Sequence, residues 1–282
     1  MLGTEVEARL RETDAEYRAS DREIDITDRQ AVLDYAGSCK PHWIVNCAAY
    51  TAVDQAEDEP DNAFRLNRDA VENLAIAARQ HAAAVLHIST DYVFDGTKGS
   101  PYEPDDPPNP NSVYGASKLA GESILRRTLD RHIILRTAWL YGANGPNFVT
   151  TMLRLFNERP VVKVVDDQVG SPTWARDLAA AIVNVILTSA HSWGTYHFVS
   201  RGAISWFDFA TEILWVAADN GLVRPSPEVL PISTSEYPTK AKRPSYSVLS
   251  TTKIEQQFGV AIPDWRESLR QYVDGIANEN RA

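Results

Sequence analysis

Cysteine is nearly absent from this chain: its 282 residues include only Cys39 and Cys47. That excludes a disulfide-stapled scaffold and fits a reducing compartment, so a cytoplasmic location is expected. Long apolar runs are missing too. None approaches the roughly 18 residues that cross a bilayer, and the opening Met-Leu-Gly-Thr-Glu-Val-Glu is too acidic for a secretory signal. Basic residues are in the minority, 28 Lys and Arg against 38 Asp and Glu, for a net charge of −10. Nucleic acids and anionic membranes need clustered cations, so neither is expected as a partner. The six histidines show no His-x-x-x-His spacing and the cysteines no Cys-x-x-Cys, so no metal is expected. The front of the chain also lacks a buried strand followed by a Gly-rich turn, the usual cradle of a dinucleotide pyrophosphate.

What is present is ordinary globular material, 44% hydrophobic, enough for one large α/β domain or two lobes. Residues 1–10 read as a helix with Leu2, Val6 and Leu10 on one face. Glu16 to Asp21 reads as a weak strand ending in an acid, followed by Arg22. An acid there meets an adenosine ribose and an arginine a 2′-phosphate, or the pair is a solvated loop. Thr27 or Asp28 is expected to cap a helix running to about Gly37. Trp43 to Ala49 is a buried strand ending in small residues, which admit either a dinucleotide or a close-packed helix. A long helix is expected from Glu59-Pro60 to about Ala82, with Phe64, Leu66, Val71, Leu74 and Ala78 as its core positions. Asn67 on it either braces the loop after Asn46 or is a surface amide.

Val85 to Ser89 is another buried strand, which places Ser89, Thr90 and Asp91 at a carboxyl end, where open α/β sheets bind ligands. A proline-rich loop, 95–111, follows and is expected to be mobile over a site. Tyr114 and Lys118 then lie four apart on a helix and share one face. An ammonium one turn from a phenol lowers its pKa and makes Tyr114 a candidate proton donor to a carbonyl oxygen that receives a hydride. Ile133 to Thr137 is a further buried strand, and Trp139 just past it is either core or a ligand contact. Lys240-Ala-Lys-Arg-Pro244 is the densest basic cluster, and Arg243 within it is a candidate for a nucleotide diphosphate unless the loop is merely solvated.

Ser89-Thr-Asp-Tyr-Val-Phe-Asp-Gly96, Tyr114-Gly-x-x-Lys118, Arg136-Thr-Ala-Trp-Leu-Tyr141, Asn46-Cys-Ala-Ala-Tyr-Thr-Ala-Val-Asp54, Asp167-Gln-Val-Gly-Ser-Pro-Thr173 and Ala241-Lys-Arg-Pro-Ser245 together resemble the dTDP-4-dehydrorhamnose reductases. These are a branch of the extended short-chain dehydrogenase/reductases, and the likeness runs co-linearly over nearly the whole chain. It implies a doubly wound, Rossmann-like parallel sheet with a smaller, interleaved C-terminal substrate lobe. The expected division is 1–144 plus 174–200 for the dinucleotide lobe and 145–173 plus 201–282 for the substrate lobe. It implies reduction of the 4-keto group of dTDP-4-dehydro-L-rhamnose by NADPH, with NADH as an alternative and a homodimer left open.

Tyr114, Lys118 and Thr90 would be catalytic, Thr90 standing where family members often carry serine. Asp21, Arg22, Asp25, Ile26, Ala49, Tyr50, Thr51, Tyr114 and Lys118 would hold the cofactor. Thr90, Asp91, Trp139 and Arg243 would hold the dTDP-sugar. In this family a strand and Gly-rich turn come directly before the first helix, and only Gly3 remains as a candidate for its last glycine. The first strand is therefore expected to be missing, the sequence starting about ten residues late. Three competing readings stand beside this one: another nucleotide-sugar reductase or epimerase, a non-catalytic regulatory subunit like the β subunit of methionine adenosyltransferase, and a protein that binds a nucleotide sugar without turning it over.

Overall fold

In a computed structural model, residues 1–188 and 192–279 are described; residues 189–191 and 280–282, at the margins of the expected lobes, lie outside it. Four strands form the main sheet: β1 (Trp43–Asn46), β2 (Ala84–Thr90), β3 (His132–Thr137) and β4 (Gly194–His197). They pair in that order and all in parallel. Parallel sheets need apolar cover on both faces. Alternation along β2 and β3 supplies it, Leu86, Ile133 and Leu135 facing one layer and Val85 and Ile134 the other.

On the first face lie the helices Leu2–Leu10 and Ala175–Leu187, and the N-terminal helix buries Leu2, Val6 and Leu10 there as its spacing predicts. On the second face Ala70–Gln80 and Val113–Thr128 pack through Val71, Ala75, Ala78 and Leu125. A further core joins the helices Phe148–Glu158, Trp206–Asp219 and Trp265–Glu279 to the parallel ladder of Val161–Val165 with Glu228–Ile232. Its centre is aromatic, with Tyr141, Phe156, Phe209, Trp265 and Tyr272 all buried.

Three local expectations change. Residues 15–20 form no strand and no ladder and are mostly exposed. A strand exists only as a pairing, and among the described residues β1 pairs on one edge only, with β2. The long helix after Pro60 is interrupted by a π-turn at Arg65–Asp69. One extra residue in that turn rotates the helix face. Asn67 therefore becomes buried, while Phe64 and Leu66, expected in the core, are only half-buried.

The third change is the proline-rich loop, which is pinned rather than loose. Asp95 accepts from Thr97, Tyr102 and Asn109, and bonds from Asn109 and Thr97 hold its carboxyl down at about 2. Tyr102 stacks on Phe94 at 4.2 Å and exchanges backbone bonds with Val248 and Ser250.

Candidate active site

Parallel register brings the carboxyl ends of the strands together, pairing Asn46 with His87, Ser89 with Arg136 and Thr90 with Thr137. Thr90 ends β2 and its hydroxyl accepts from Tyr92 N–H at 3.2 Å, turning the chain into the 3-10 turn Asp91–Val93. The helix Val113–Thr128 then crosses above that turn. It is capped by Ser112, whose hydroxyl accepts from Gly115 N–H. Two glycines set the closeness of approach: a Cβ on Gly115 would lie 2.2 Å from Tyr92 O, and one on Gly121 2.0 Å from Asn67 O.

That crossing brings Tyr114 onto Thr90. The phenol lies against the Thr90 hydroxyl, which donates to Asp91 Oδ1 at 3.0 Å. Tyr92 meets the Tyr114 ring edge-on at 5.5 Å. Tyr50 packs in the same apolar cluster as Tyr114. The loop that carries Ala49, Tyr50 and Thr51 is fixed by Asn67, which accepts from Tyr50 N–H and donates to Tyr50 O and Ser117.

The electrostatics differ from the expectation drawn from spacing alone. Burial pushes the Tyr114 phenol well above its ordinary value, with Thr90 opposing it. Burial likewise pulls Lys118 down to about 8 against the charge of Glu122. Lys118 Nζ donates to Ile88 O at 2.7 Å and faces His87 Nε2 at 3.3 Å. In so dry a site desolvation, not the i,i+4 charge effect, governs both groups. Asp91, 2% exposed, is raised by burial to about 6.

Trp139 follows β3 with φ of 48°, a strained conformation for a bulky residue. Its indole stacks face to face on Trp206 at 3.5 Å. Gly170 lies against it, where a Cβ would come within 2.5 Å of the ring. Arg243 is drawn to the same side of the molecule: it donates to Asp54 at 2.7 Å and to the Tyr92 hydroxyl at 3.4 Å. The basic cluster is thus not simply solvated, since Lys240 also pairs with Asp58.

The remaining sequence-selected residues lie apart. Asp21 and Arg22 are exposed, and Asp25 accepts from Thr27. Ile26 packs beneath the helix Arg29–Cys39, whose cap is Asp28. Asn73 holds this turn through Ile26 O and Thr27 O. No hydrogen bond among the described residues joins it to the Thr90 and Tyr114 group.

Spacing did not reveal four contributors. Asp54 anchors Arg243, Tyr92 braces Tyr114, Trp206 backs Trp139, and His87 contacts Lys118. Tyr92 and Asp54 did lie inside quoted motifs. Trp206 and His87 carried no signal beyond being an aromatic in a helix and a polar residue in a buried strand.

Comparisons with known proteins point to one family. Residues 1–278 match the family model described as the RmlD substrate binding domain. A dTDP-4-dehydrorhamnose reductase of Aggregatibacter actinomycetemcomitans is 44% identical over 252 residues, 88% of this chain and 86% of the relative. The crystal structure of a dTDP-4-dehydrorhamnose reductase from Clostridium acetobutylicum superposes with a TM-score of 0.92 at 41% identity, covering 98% of this chain and 95% of that one. That of the Bacillus anthracis reductase in complex with NADP also gives 0.92, at 38% identity over 97% and 95% of the two chains.

Proposed function

The chain belongs to the dTDP-4-dehydrorhamnose reductase family, and from that premise we propose that it reduces the 4-keto group of dTDP-4-dehydro-L-rhamnose to dTDP-L-rhamnose with NADPH, NADH being the second candidate. The observation that carries this reading is the convergence of Thr90, Tyr114 and Lys118, all buried, at the carboxyl end of β2. The residues present suit the nicotinamide half of a dinucleotide. Small side chains at Ala48 and Ala49 leave the backbone after β1 approachable, and the Tyr114 hydroxyl and Lys118 amine lie on the adjoining helix. Ala49, Tyr50, Thr51, Tyr114 and Lys118 would hold that half, and the turn of Asp21, Arg22, Asp25 and Ile26 the adenosine. When bound, the cofactor supplies the hydride.

Tyr114 supplies the proton. A phenol held well above its ordinary value by burial is fully protonated at any working pH, as an acid must be before it donates. The alkoxide formed from a ketone is a stronger base than a phenolate, so transfer from Tyr114 to O4 still runs downhill. Thr90 lies against the phenol and orients it, and Asp91 fixes the Thr90 hydroxyl by accepting its hydrogen. Trp139 offers a flat apolar face to the sugar ring, and Arg243 a cation for the diphosphate. We place the reaction in the cytoplasm, consistent with two cysteines that form no disulfide.

The test is direct. With dTDP-4-dehydro-L-rhamnose, NADPH absorbance should fall in step with formation of dTDP-L-rhamnose; a UDP-4-ketohexose serves as the comparison substrate. Absence of NADPH consumption with the dTDP sugar rejects the reading, and faster turnover of the UDP sugar redirects it to another nucleotide-sugar enzyme. A second experiment separates binding from chemistry. Trp206 touches Trp139 and not the reacting atoms, so Trp206→Ala should raise KM for the sugar about 3- to 10-fold, the worth of one aromatic pair, while kcat changes less than about twofold. A fall in kcat with KM unchanged would contradict that assignment.

A further inference from the structure

Beneath the site lies a buried polar chain that ends on Lys118 and whose other members, Asn46 and His87, the proposed reaction does not use. Asn46 at the end of β1, His87 in β2 and Lys118 on the crossing helix are 4%, 0% and 2% exposed. Their hydrogen-bond directions are fixed from one end. Ala48 N–H, a donor only, points at the Asn46 side-chain oxygen at 3.1 Å. The Asn46 amide nitrogen therefore faces His87 Nδ1, 3.0 Å away. A nitrogen receiving an N–H cannot carry its own hydrogen, so the proton of neutral His87 sits on Nε2. That hydrogen points at Lys118 Nζ, 3.3 Å away. An ammonium has three donors and no lone pair, whereas an amine accepts one bond while still donating to Ile88 O.

We propose that His87 is the positioning residue of Lys118: with its tautomer dictated by Asn46, it offers Nε2–H to Nζ and so favours the amine over the ammonium. The chain then contains a buried proton switch, Lys118 exchanging one proton with solvent between an ammonium that clashes with His87 and an amine that bonds it. The other groups facing Nζ are Glu122, one turn on along the same helix, and the Cys47 thiol. Glu122 is already engaged by Arg136, Arg126 and Ser89. Burial keeps Cys47 uncharged, up at about 12. Burial also holds His87 well below its ordinary value, so the ring itself stays neutral while Lys118, at about 8, titrates.

The first test needs no substrate. In the wild-type chain labelled with 15N-histidine, long-range proton–nitrogen spectra between pH 6 and 9 should show His87 as the Nε2–H tautomer throughout, its shifts moving with a midpoint near 8. An Nδ1–H tautomer, or an imidazolium forming in that range, would overturn the proposal.

The second test rests on the reductase reading. Lys118 is placed to hold the nicotinamide half as an ammonium, so kcat/KM should decline on the alkaline side as it loses its proton, near the same pH. A Gln at this position can turn its oxygen toward the ammonium, so His87→Gln should move that alkaline limb up by about one pH unit. A limb that stays in place while turnover drops uniformly would reduce His87 to packing and reject the idea. If no turnover is found in any chain, the reductase reading falls while the tautomer measurement still decides the role of His87.

Discussion

Replacing Tyr114 with phenylalanine is expected to lower kcat for sugar reduction by on the order of a hundredfold or more, with the fold intact. The substitution removes one hydroxyl and nothing else. The ring keeps its edge-on contact with Tyr92 and its place beside Ala56 and Ala63. Thr90 keeps its bonds to Asp91 and to Tyr92 N–H, so no buried group is stranded. KM should change little, because the phenol acts on an oxygen that becomes basic only as the hydride arrives. Steady-state kinetics, with the urea midpoint as a control, checks both halves. Turnover near that of the wild type would take Tyr114 out of the mechanism. Because burial pushes its phenol well above the ordinary value, the alkaline limb of the wild-type profile should belong to Lys118.

The chemistry was legible in the sequence because it is local. A strand ending in Ser89-Thr90-Asp91 and a helix carrying Tyr114 and Lys118 follow from period-2 and period-3.6 patterns, and topology alone brings strand ends to one edge. Trp139 and Arg243 were visible as residues but not as partners, since Trp206 and Asp54, which hold them, lie 67 and 189 positions away in the chain. Long-range pairing leaves no periodic trace. The electrostatics were misjudged for a related reason: spacing reports which charges are near, whereas the depth of burial that dominates Tyr114 and Lys118 is set by the whole layer above them. The π-turn at Arg65–Asp69 was equally hidden. It shows only as Asn67 facing inward while Phe64 and Leu66 turn half outward, and that rotation lets Asn67 brace the Tyr50 loop as one of its two sequence readings had it.

The largest effect on stability should come from a pair that takes no part in the reaction. Glu122 and Arg136 are 0% and 2% exposed at their side chains and meet bidentately, at 2.8 Å for each bond. Ser89 donates to the same carboxylate at 2.6 Å and Arg126 to its other oxygen. Arg136 also reaches Pro104 O and lies over the Phe94 ring at 5.0 Å. The pair thus ties the Tyr114 helix, β2, β3 and the proline-rich loop together. Burial pushes the Glu122 carboxyl up, but the bonds and charge of Arg136 outweigh it and hold the group below its ordinary value. With the folded value depressed, the contribution is present at neutral pH and is lost as pH falls through that value. Glu122→Gln keeps the volume but leaves a buried guanidinium without its counter-charge, and should cost about 3–5 kcal/mol in urea unfolding. Pairing it with Arg136→Met removes the stranded cation. The double variant should therefore lose less than the sum of the two single changes, and strict additivity would show that the ions do not act as a pair.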